Sequence, residues 1–135
     1  MPPTIDGARD GDGQRRVLSV GRRRAVLIDS ITQVREEDAG AIVVSGSHGG
    51  TSSGRYAATV PAALYAFNDA GVGKDRAGIA ALADLDALGI AAVAVGHDTA
   101  AIGSARETWE GTVRHVNEAA RAMGARVGTV LREAL

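Results

Sequence analysis

The fold is decided by the stretch Ala41-Ile42-Val43-Val44-Ser45-Gly46-Ser47-His48-Gly49-Gly50-Thr51, in which an apolar run leads into a polar, Gly-rich loop. The apolar run does not alternate with polar residues, which is typical of a strand covered on both faces. The segment Thr51–Val60 that follows is compatible with about two and a half helical turns. A strand, a polar loop and a helix in this order predict one unit of an α/β fold.

Two later stretches repeat this layout of apolar run, polar loop and helix. In the first, the loop Asn68–Asp75 leads into a predicted helix over Asp75–Leu88, and Gly89 is placed to end that helix. In the second, the loop Gly96–Thr99 comes before a predicted helix over Ser104–Met123. The three units together predict parallel strands that are joined by right-handed crossovers.

The helix Ser104–Met123 is predicted from two patterns. Ser104 and Glu107 have the spacing of a capping box. Apolar residues then recur at steps of three and four, as on one face of a helix; they are Trp109, Val113, Val116, Ala120 and Met123. His115 falls outside this stripe and is therefore predicted to be a surface residue. Residues 127–135 are compatible with either a short strand or a terminal helix.

Toward the N-terminus, Val17–Val20 and Ala25–Ile28 read as two strands, and Gly21-Arg22 between them fits a tight hairpin turn. Residues 1–14 are rich in Pro, Gly and Asp, which predicts a flexible tail before a single α/β domain over residues 15–135. The predicted order is β-β-β-α-β-α-β-α. It indicates a three-layer or two-layer sandwich with a mostly parallel sheet, in which the N-terminal β-hairpin extends one edge.

Composition narrows the class of partner. The net charge of -1 gives no overall positive field that would attract nucleic acid or an anionic membrane. The chain has no Cys, which excludes disulfides and thiol chemistry and is compatible with the cytoplasm. No apolar run is long enough for a membrane span, and the N-terminus lacks the layout of a signal peptide. Aromatic residues make up only 3%, so we expect a lean core and a homo-oligomer that buries further surface.

The three polar loops all follow predicted parallel strands, so we expect them to share one edge of the sheet, near a switch in strand order. The candidate catalytic residues there are His48, His97, Asp69 and Asp98. Imidazole is the side chain best suited to proton transfer near neutral pH, and a carboxylate beside it improves its orientation. We expect His48 to face Asp69 and His97 across this edge.

The same loops offer groups that could hold a small anion. Glycines allow a ligand to approach the backbone N–H groups, and cationic side chains neutralise its charge. The predicted ligand-binding residues are Ser47, Gly49, Gly50, Thr51, Asn68, Lys74, Thr99 and Arg106. The loops match neither a Walker A motif nor a dinucleotide fingerprint, so the sequence indicates no particular cofactor.

Three functional hypotheses follow from these residues. The first is a small enzyme that acts on a small anionic metabolite by acid–base chemistry, with hydrolase, lyase and isomerase reactions all open. The second is a non-catalytic α/β module that binds a nucleotide or an anionic metabolite. The third is structural assembly without a ligand, which would leave the concentration of polar groups at one edge unexplained. A metal site from His48, His97 and an aspartate is also conceivable from the residue types, but no short His-x-x-x-His ligand pair supports it, and we predict no metal ligands.

Overall fold

The computed structural model describes residues 15–134, which form a six-stranded mixed sheet and four α-helices. The predicted α/β class is confirmed at this level. The tail predicted for residues 1–14 lies outside the described residues. The strands are β1 (Arg15–Val20), β2 (Arg23–Ile28), β3 (Ile42–His48), β4 (Leu64–Asn68), β5 (Ala92–Val95) and β6 (Val113–Val116). The helices are α1 (Thr51–Ala57), α2 (Ala80–Asp86), α3 (Ala105–Glu110) and α4 (Glu118–Ala122).

The strands lie side by side in chain order, from β1 at one edge to β6 at the other. Strands β2 to β5 are parallel, whereas β1 and β6 each pair antiparallel with their neighbour. The predicted hairpin is therefore present, and Gly21 has the positive φ of 60° that its turn requires. The order never reverses among the described strands, which therefore contain no switch in strand order.

The sheet is covered on both faces because successive residues of its strands point to opposite sides. In β2, Ala25 and Leu27 belong to one core cluster, and the residues that alternate with them belong to the other. Leu82 of α2 packs in the second cluster, and Trp109 of α3 packs in the first. The absence of alternation in β3 is thus explained, since Ile42–Val44 are buried throughout.

The predicted helix over Ser104–Met123 was wrong. The first helix ends at Glu110; it covers Ala105–Glu110 and is capped as expected by Ser104, whose hydroxyl accepts from the N–H of Glu107 at 3.1 Å. The chain then forms the antiparallel strand β6 and the short helix α4. The Asn117 side chain starts α4 by accepting from the N–H of Ala120 at 2.9 Å. The apolar stripe therefore belongs to three different elements.

The predicted helix over Asp75–Leu88 is also interrupted. A 3-10 segment covers Lys74–Ile79, and Asp75 and Arg76 within it have left-handed φ angles of 54° and 60°. The α-helix begins only at Ala80, and Gly89 follows it with the positive φ expected of a C-terminal cap. Residues 127–134 form neither the strand nor the α-helix that the sequence allowed at the C-terminus. Thr112 and Val130 form a single β-bridge, followed by a 3-10 turn at Leu131–Glu133.

A buried ion pair holds β1 to the segment that leads into β3. The guanidinium of Arg15 donates to both carboxylate oxygens of Asp38, and the Nη1–Oδ2 distance is 3.0 Å. Arg15 is 4% exposed and Asp38 is 0% exposed. The N–H of Arg35 also donates to Asp38 at 2.9 Å. This connection fixes the start of the edge strand, where few apolar contacts are available.

Candidate functional site

The carboxyl ends of β3, β4 and β5 meet at one edge of the sheet, because these strands are parallel. His48 ends β3 and pairs in register with Asn68 at the end of β4. Asp69 follows directly, and its N–H donates to the carbonyl of Val95 in β5 at 2.9 Å. The residues that were predicted to share an edge therefore follow the ends of neighbouring strands. The directions of their side chains determine which of them come into contact.

Asp69 is the centre of this edge. It is only 5% exposed. Its Oδ1 accepts hydrogen bonds from the backbone N–H groups of Gly71, at 2.8 Å, and of His97, at 2.9 Å. The carboxylate is thus held by two loops at once, and its orientation is fixed before any ligand arrives.

Two imidazoles lie against this one carboxylate. His97 Nδ1 is 3.4 Å from Oδ1 of Asp69, and His115 Nε2 is 3.3 Å from Oδ2. The His97 side chain is 58% exposed and that of His115 is 25% exposed. The predicted pairing of Asp69 with an imidazole is present, and a second imidazole that the sequence reading assigned to the surface of a helix joins it.

The ionisation of Asp69 follows from its surroundings. Burial raises the pKa of this carboxyl, but the hydrogen bonds from Gly71, His97 and His115, together with the charge of His115, outweigh burial and lower the pKa below its ordinary value of 3.8. Asp69 is therefore a carboxylate at neutral pH. Its hydrogen bond to His115 favours the tautomer of that ring with a proton on Nε2, which leaves Nδ1 as an acceptor, whereas Nδ1 of His97 lies 3.4 Å from Oδ1 without a hydrogen bond.

The loop after Asp69 is strained. Four consecutive residues have positive φ, and two of them, Ala70 at 50° and Val72 at 68°, are not glycine. Left-handed backbone costs roughly 1–2 kcal/mol for a residue with a Cβ, and more for a β-branched one. The N–H of Val72 donates to the carbonyl of Asp69 at 2.6 Å, and that of Gly78 donates to Val72 at 2.7 Å. Backbone hydrogen bonds therefore impose this conformation next to the carboxylate.

The remaining two candidate catalytic residues are not joined to this group. The His48 ring makes no hydrogen bond or ion pair within residues 15–134, and it lies over Gly50, where an added Cβ would be 2.9 Å from its Nε2. Asp98 is paired with Arg114 at 3.3 Å, and both side chains are about half exposed. The expectation that His48 faces Asp69 and His97 thus finds no contact in this part of the chain.

Several predicted ligand-binding residues are engaged in holding the backbone. The Asn68 side chain is fully buried, donates to the carbonyl of Ala100 at 2.8 Å and accepts from the N–H of Ala70 at 2.8 Å. The Ser47 hydroxyl accepts from the N–H of Ile31 at 3.0 Å. These hydrogen bonds join the loops to one another, so the two side chains position the site.

Thr99 and Gly49 have similar structural roles. The Thr99 hydroxyl donates to the carbonyl of Gly96 at 2.8 Å and accepts from the N–H of Thr112 at 3.0 Å. The N–H of Gly49 donates to the carbonyl of Asn68 at 3.0 Å, so this donor is not available to an anion. A Cβ on Gly49 would also lie 3.0 Å from the carbonyl oxygen of Gly78, so the glycine serves backbone packing.

Three further predicted residues lie away from Asp69 or point to solvent. Thr51 is exposed at the start of α1, and Lys74 is exposed at the start of the 3-10 segment. Arg106 lines a cleft with Arg16 and Leu18 of β1, the edge strand that lies farthest from β6. Arg106 therefore does not join the group around Asp69.

His115 is the site residue that the sequence reading missed. It pairs with Ala94 across the antiparallel β5–β6 ladder, and the strand places its ring beside Asp69. A strand signal was present, because the segment Thr112–Val116 has β-branched residues between Gly111 and Asn117. The longer apolar stripe at helical spacing concealed it.

A groove of about 710 Å³ adjoins this centre between α2 and β6. His115 lines it together with Arg76, Arg114 and Asp75. Among residues 15–134, no group of three or more His, Asp or Glu side chains is arranged to hold a metal ion. Comparisons with protein-family models, with curated proteins and with solved structures gave no match. Function is therefore inferred from the chain's own residues.

Proposed function

We propose that this chain is a small enzyme that acts on a small anionic metabolite by acid–base chemistry, at a centre formed by Asp69, His97 and His115. The observation that carries the proposal is one buried, ionised carboxylate whose two oxygens each lie beside an imidazole, at 3.4 Å and 3.3 Å. A carboxylate that orients an imidazole and stabilises its protonated form is a recurrent device of general acid–base catalysis.

The chemistry follows from the tautomers. In the tautomer with its proton on Nδ1, which lies 3.4 Å from Oδ1 of Asp69, His97 leaves Nε2 as an acceptor. Proton uptake at Nε2 produces an imidazolium whose charge the adjacent carboxylate stabilises, and the proton is later returned at the same atom. His115 has the reverse arrangement, with Nε2 toward Asp69 and Nδ1 as the acceptor. Hydrolase, lyase and isomerase reactions all use such a proton transfer.

We test the proposal with proton NMR of a mixed panel of carboxylic acids and phosphate esters, incubated in D2O with the protein. Acid–base turnover appears either as a new product or as exchange of a carbon-bound proton for deuterium. Asp69→Asn and His115→Gln should each lower the rate by about 100-fold, the usual scale of a lost proton-transfer group. His48→Gln is the matched control, because its ring makes no hydrogen bond or ion pair within residues 15–134.

The same experiment separates the catalytic proposal from its alternative. If a panel member broadens or shifts on binding and is recovered without change or exchange, the chain is a non-catalytic module for an anionic metabolite or nucleotide. If His48→Gln lowers the rate as much as His115→Gln, the centre is not the one described. Turnover that survives Asp69→Asn unchanged would also contradict the proposal.

We also propose that the protein acts in the cytoplasm as a homo-oligomer. Leu88, Ile102 and Val127 are exposed apolar side chains, at 60%, 56% and 56%, that an interface between two copies would bury. No helix among residues 15–134 has the length and apolar character needed to cross a membrane. Sedimentation equilibrium tests the oligomer, and a mass equal to one chain at every concentration would contradict it.

A further inference from the structure

We propose that the groove between α2 and β6 is where the substrate of this centre binds, with His115 as the imidazole that meets it and Arg76 as the residue that holds its carboxylate or phosphate. The inference rests on the proposed function, and it assigns the substrate's position and its charged contact. Its basis is the placement of His115, Asp69 and Arg76 around one groove.

His115 connects the groove to the carboxylate. Its ring lines the groove of about 710 Å³, and its Nε2 lies 3.3 Å from the buried Oδ2 of Asp69. The groove lining includes His115 and neither Asp69 nor His97. A molecule in the groove therefore meets the imidazole of His115 first, with Asp69 behind it. His97, which is 58% exposed on the other carboxylate oxygen, faces outward.

The arginines that line the groove differ in whether their guanidinium groups already have a partner. Arg114 is paired with Asp98 at 3.3 Å, and Arg121 lies 3.9 Å from Glu118. Within residues 15–134 the guanidinium of Arg76 has neither an ion pair nor a side-chain hydrogen bond. A guanidinium presents a planar set of donors that suits carboxylate and phosphate oxygens. Arg76 is thus the groove cation that is available to a ligand.

Four carboxylates also line the groove, and two of them have partners. Asp86 accepts from the N–H of Ala119 at 2.9 Å, and Glu118 is paired as above. The carboxylate of Asp84 lies toward α1, 3.8 Å from where a Cβ on Gly54 would be. Asp75 is the carboxylate that is next to Arg76 in the chain. The negative charge of Asp75 should weaken the binding of an anion to Arg76, and the test uses this repulsion.

The test is an NMR titration with inorganic phosphate, and in a second arm with malonate, at constant ionic strength. The signals followed are the imidazole resonances of His115 and, for reference, of His48. Arg76→Gln should weaken phosphate binding about tenfold through loss of a charge-assisted contact. Asp75→Asn should strengthen it about twofold to threefold by removing a like charge. Asn tolerates the left-handed backbone at this position.

Arg55→Gln is the matched control, because Arg55 is exposed on α1 and does not line the groove. The inference is overturned if Arg76→Gln leaves the affinity unchanged, if Asp75→Asn weakens it, or if His48 shifts while His115 does not. Failure of both anions to shift His115 overturns it as well. The phosphate-to-malonate affinity ratio shows which oxyanion the groove prefers.

Phosphate binding requires no turnover, so the two proposals can fail separately. Anion binding at Arg76 without turnover of any panel member would contradict the acid–base function and leave the groove assigned. Turnover that is lost in Asp69→Asn but unchanged in Arg76→Gln would support the acid–base function and contradict the assignment of the groove.

Discussion

The Nε2 atom of His115 lies 3.3 Å from Oδ2 of Asp69, although 46 positions separate the two residues in the chain. They come from strands that do not pair with each other, since β5 lies between β4 and β6. The contact forms because Asp69 follows β4 and His115 lies in a strand that runs antiparallel to β5. The antiparallel strand β6 thus places the side chain of His115 beside the carboxyl ends of the parallel strands.

Replacement of Asp69 with Asn should destabilise the fold by about 1–3 kcal/mol, because a buried carboxylate with several donors becomes a neutral amide. Oδ1 remains an acceptor for Gly71 and His97, whereas the new amide group can face the donor nitrogen of His115. Urea unfolding at neutral pH measures the loss. Asp98→Asn is the control, since that side chain is 55% exposed, and it should change stability by less than about 0.5 kcal/mol. Equal effects of the two changes would contradict the assigned role of Asp69.

The contribution of Asp69 to stability should depend on pH in a definite direction. The pKa of its carboxyl is lower in the folded chain than the ordinary value of 3.8, so the unfolded chain takes up the proton first as the pH falls. The contribution is complete above the unfolded pKa and is lost as the pH falls through the folded one. Unfolding of wild type and Asp69→Asn should therefore converge below about pH 4. A difference that grows on acidification would show the opposite sign.

The parts of the fold that the sequence predicted best are those with a strong local signal. The unalternating run in β3 fits a strand buried on both faces, and Gly21 and Gly89 have the positive φ angles that their predicted turn and cap require. Such signals act within a few residues. The location of the polar loops at one strand edge followed from parallel pairing, and Asp69 and His97 were among the residues predicted there.

Local sequence patterns did not predict the secondary structure of the C-terminal part of the chain or the pairing of its side chains. Trp109 and Val113 lie at helical spacing, yet Gly111 between them ends α3 and β6 begins within two residues. Asn117, whose side chain bonds to Ala92, Leu82 and Ile90, fixes that arrangement through contacts distant in sequence. His115 was assigned to a surface for the same reason, because only the β5–β6 ladder brings it to Asp69.

The buried ion pair between Arg15 and Asp38 should be far more important to stability than the exposed pair between Arg114 and Asp98. Asp38→Asn removes the charge that compensates a guanidinium only 4% exposed, and loss of one partner of a buried pair typically costs about 3–5 kcal/mol. Asp98→Asn removes a half-exposed partner and should cost less than about 0.5 kcal/mol. Urea midpoints of the two variants compare them directly, and similar midpoints would refute the distinction.

Gly78 should be intolerant of even one added carbon, because a Cβ there would collide with the carbonyl oxygen of Asp69 and approach that of Val72 at 3.0 Å. Relief requires movement of the strained loop, so Gly78→Ala should cost about 1–3 kcal/mol and displace the carboxylate from its imidazoles. Gly54→Ala is the matched control. Its Cβ would lie 3.2 Å from the Cβ of Ala81, and it gains helix propensity within α1.

Two measurements should therefore separate the glycine variants. Thermal or urea unfolding should show a marked loss for Gly78→Ala and little change for Gly54→Ala. Imidazole NMR signals of His97 and His115 should shift in the first variant alone, because only Gly78 packs against the carbonyl of Asp69. A Gly78→Ala protein with wild-type stability and unchanged imidazole signals would show that the loop relaxes easily. The carboxylate would then not be held in place by the packing of this loop, and its two backbone donors, the N–H groups of Gly71 and His97, would have to suffice.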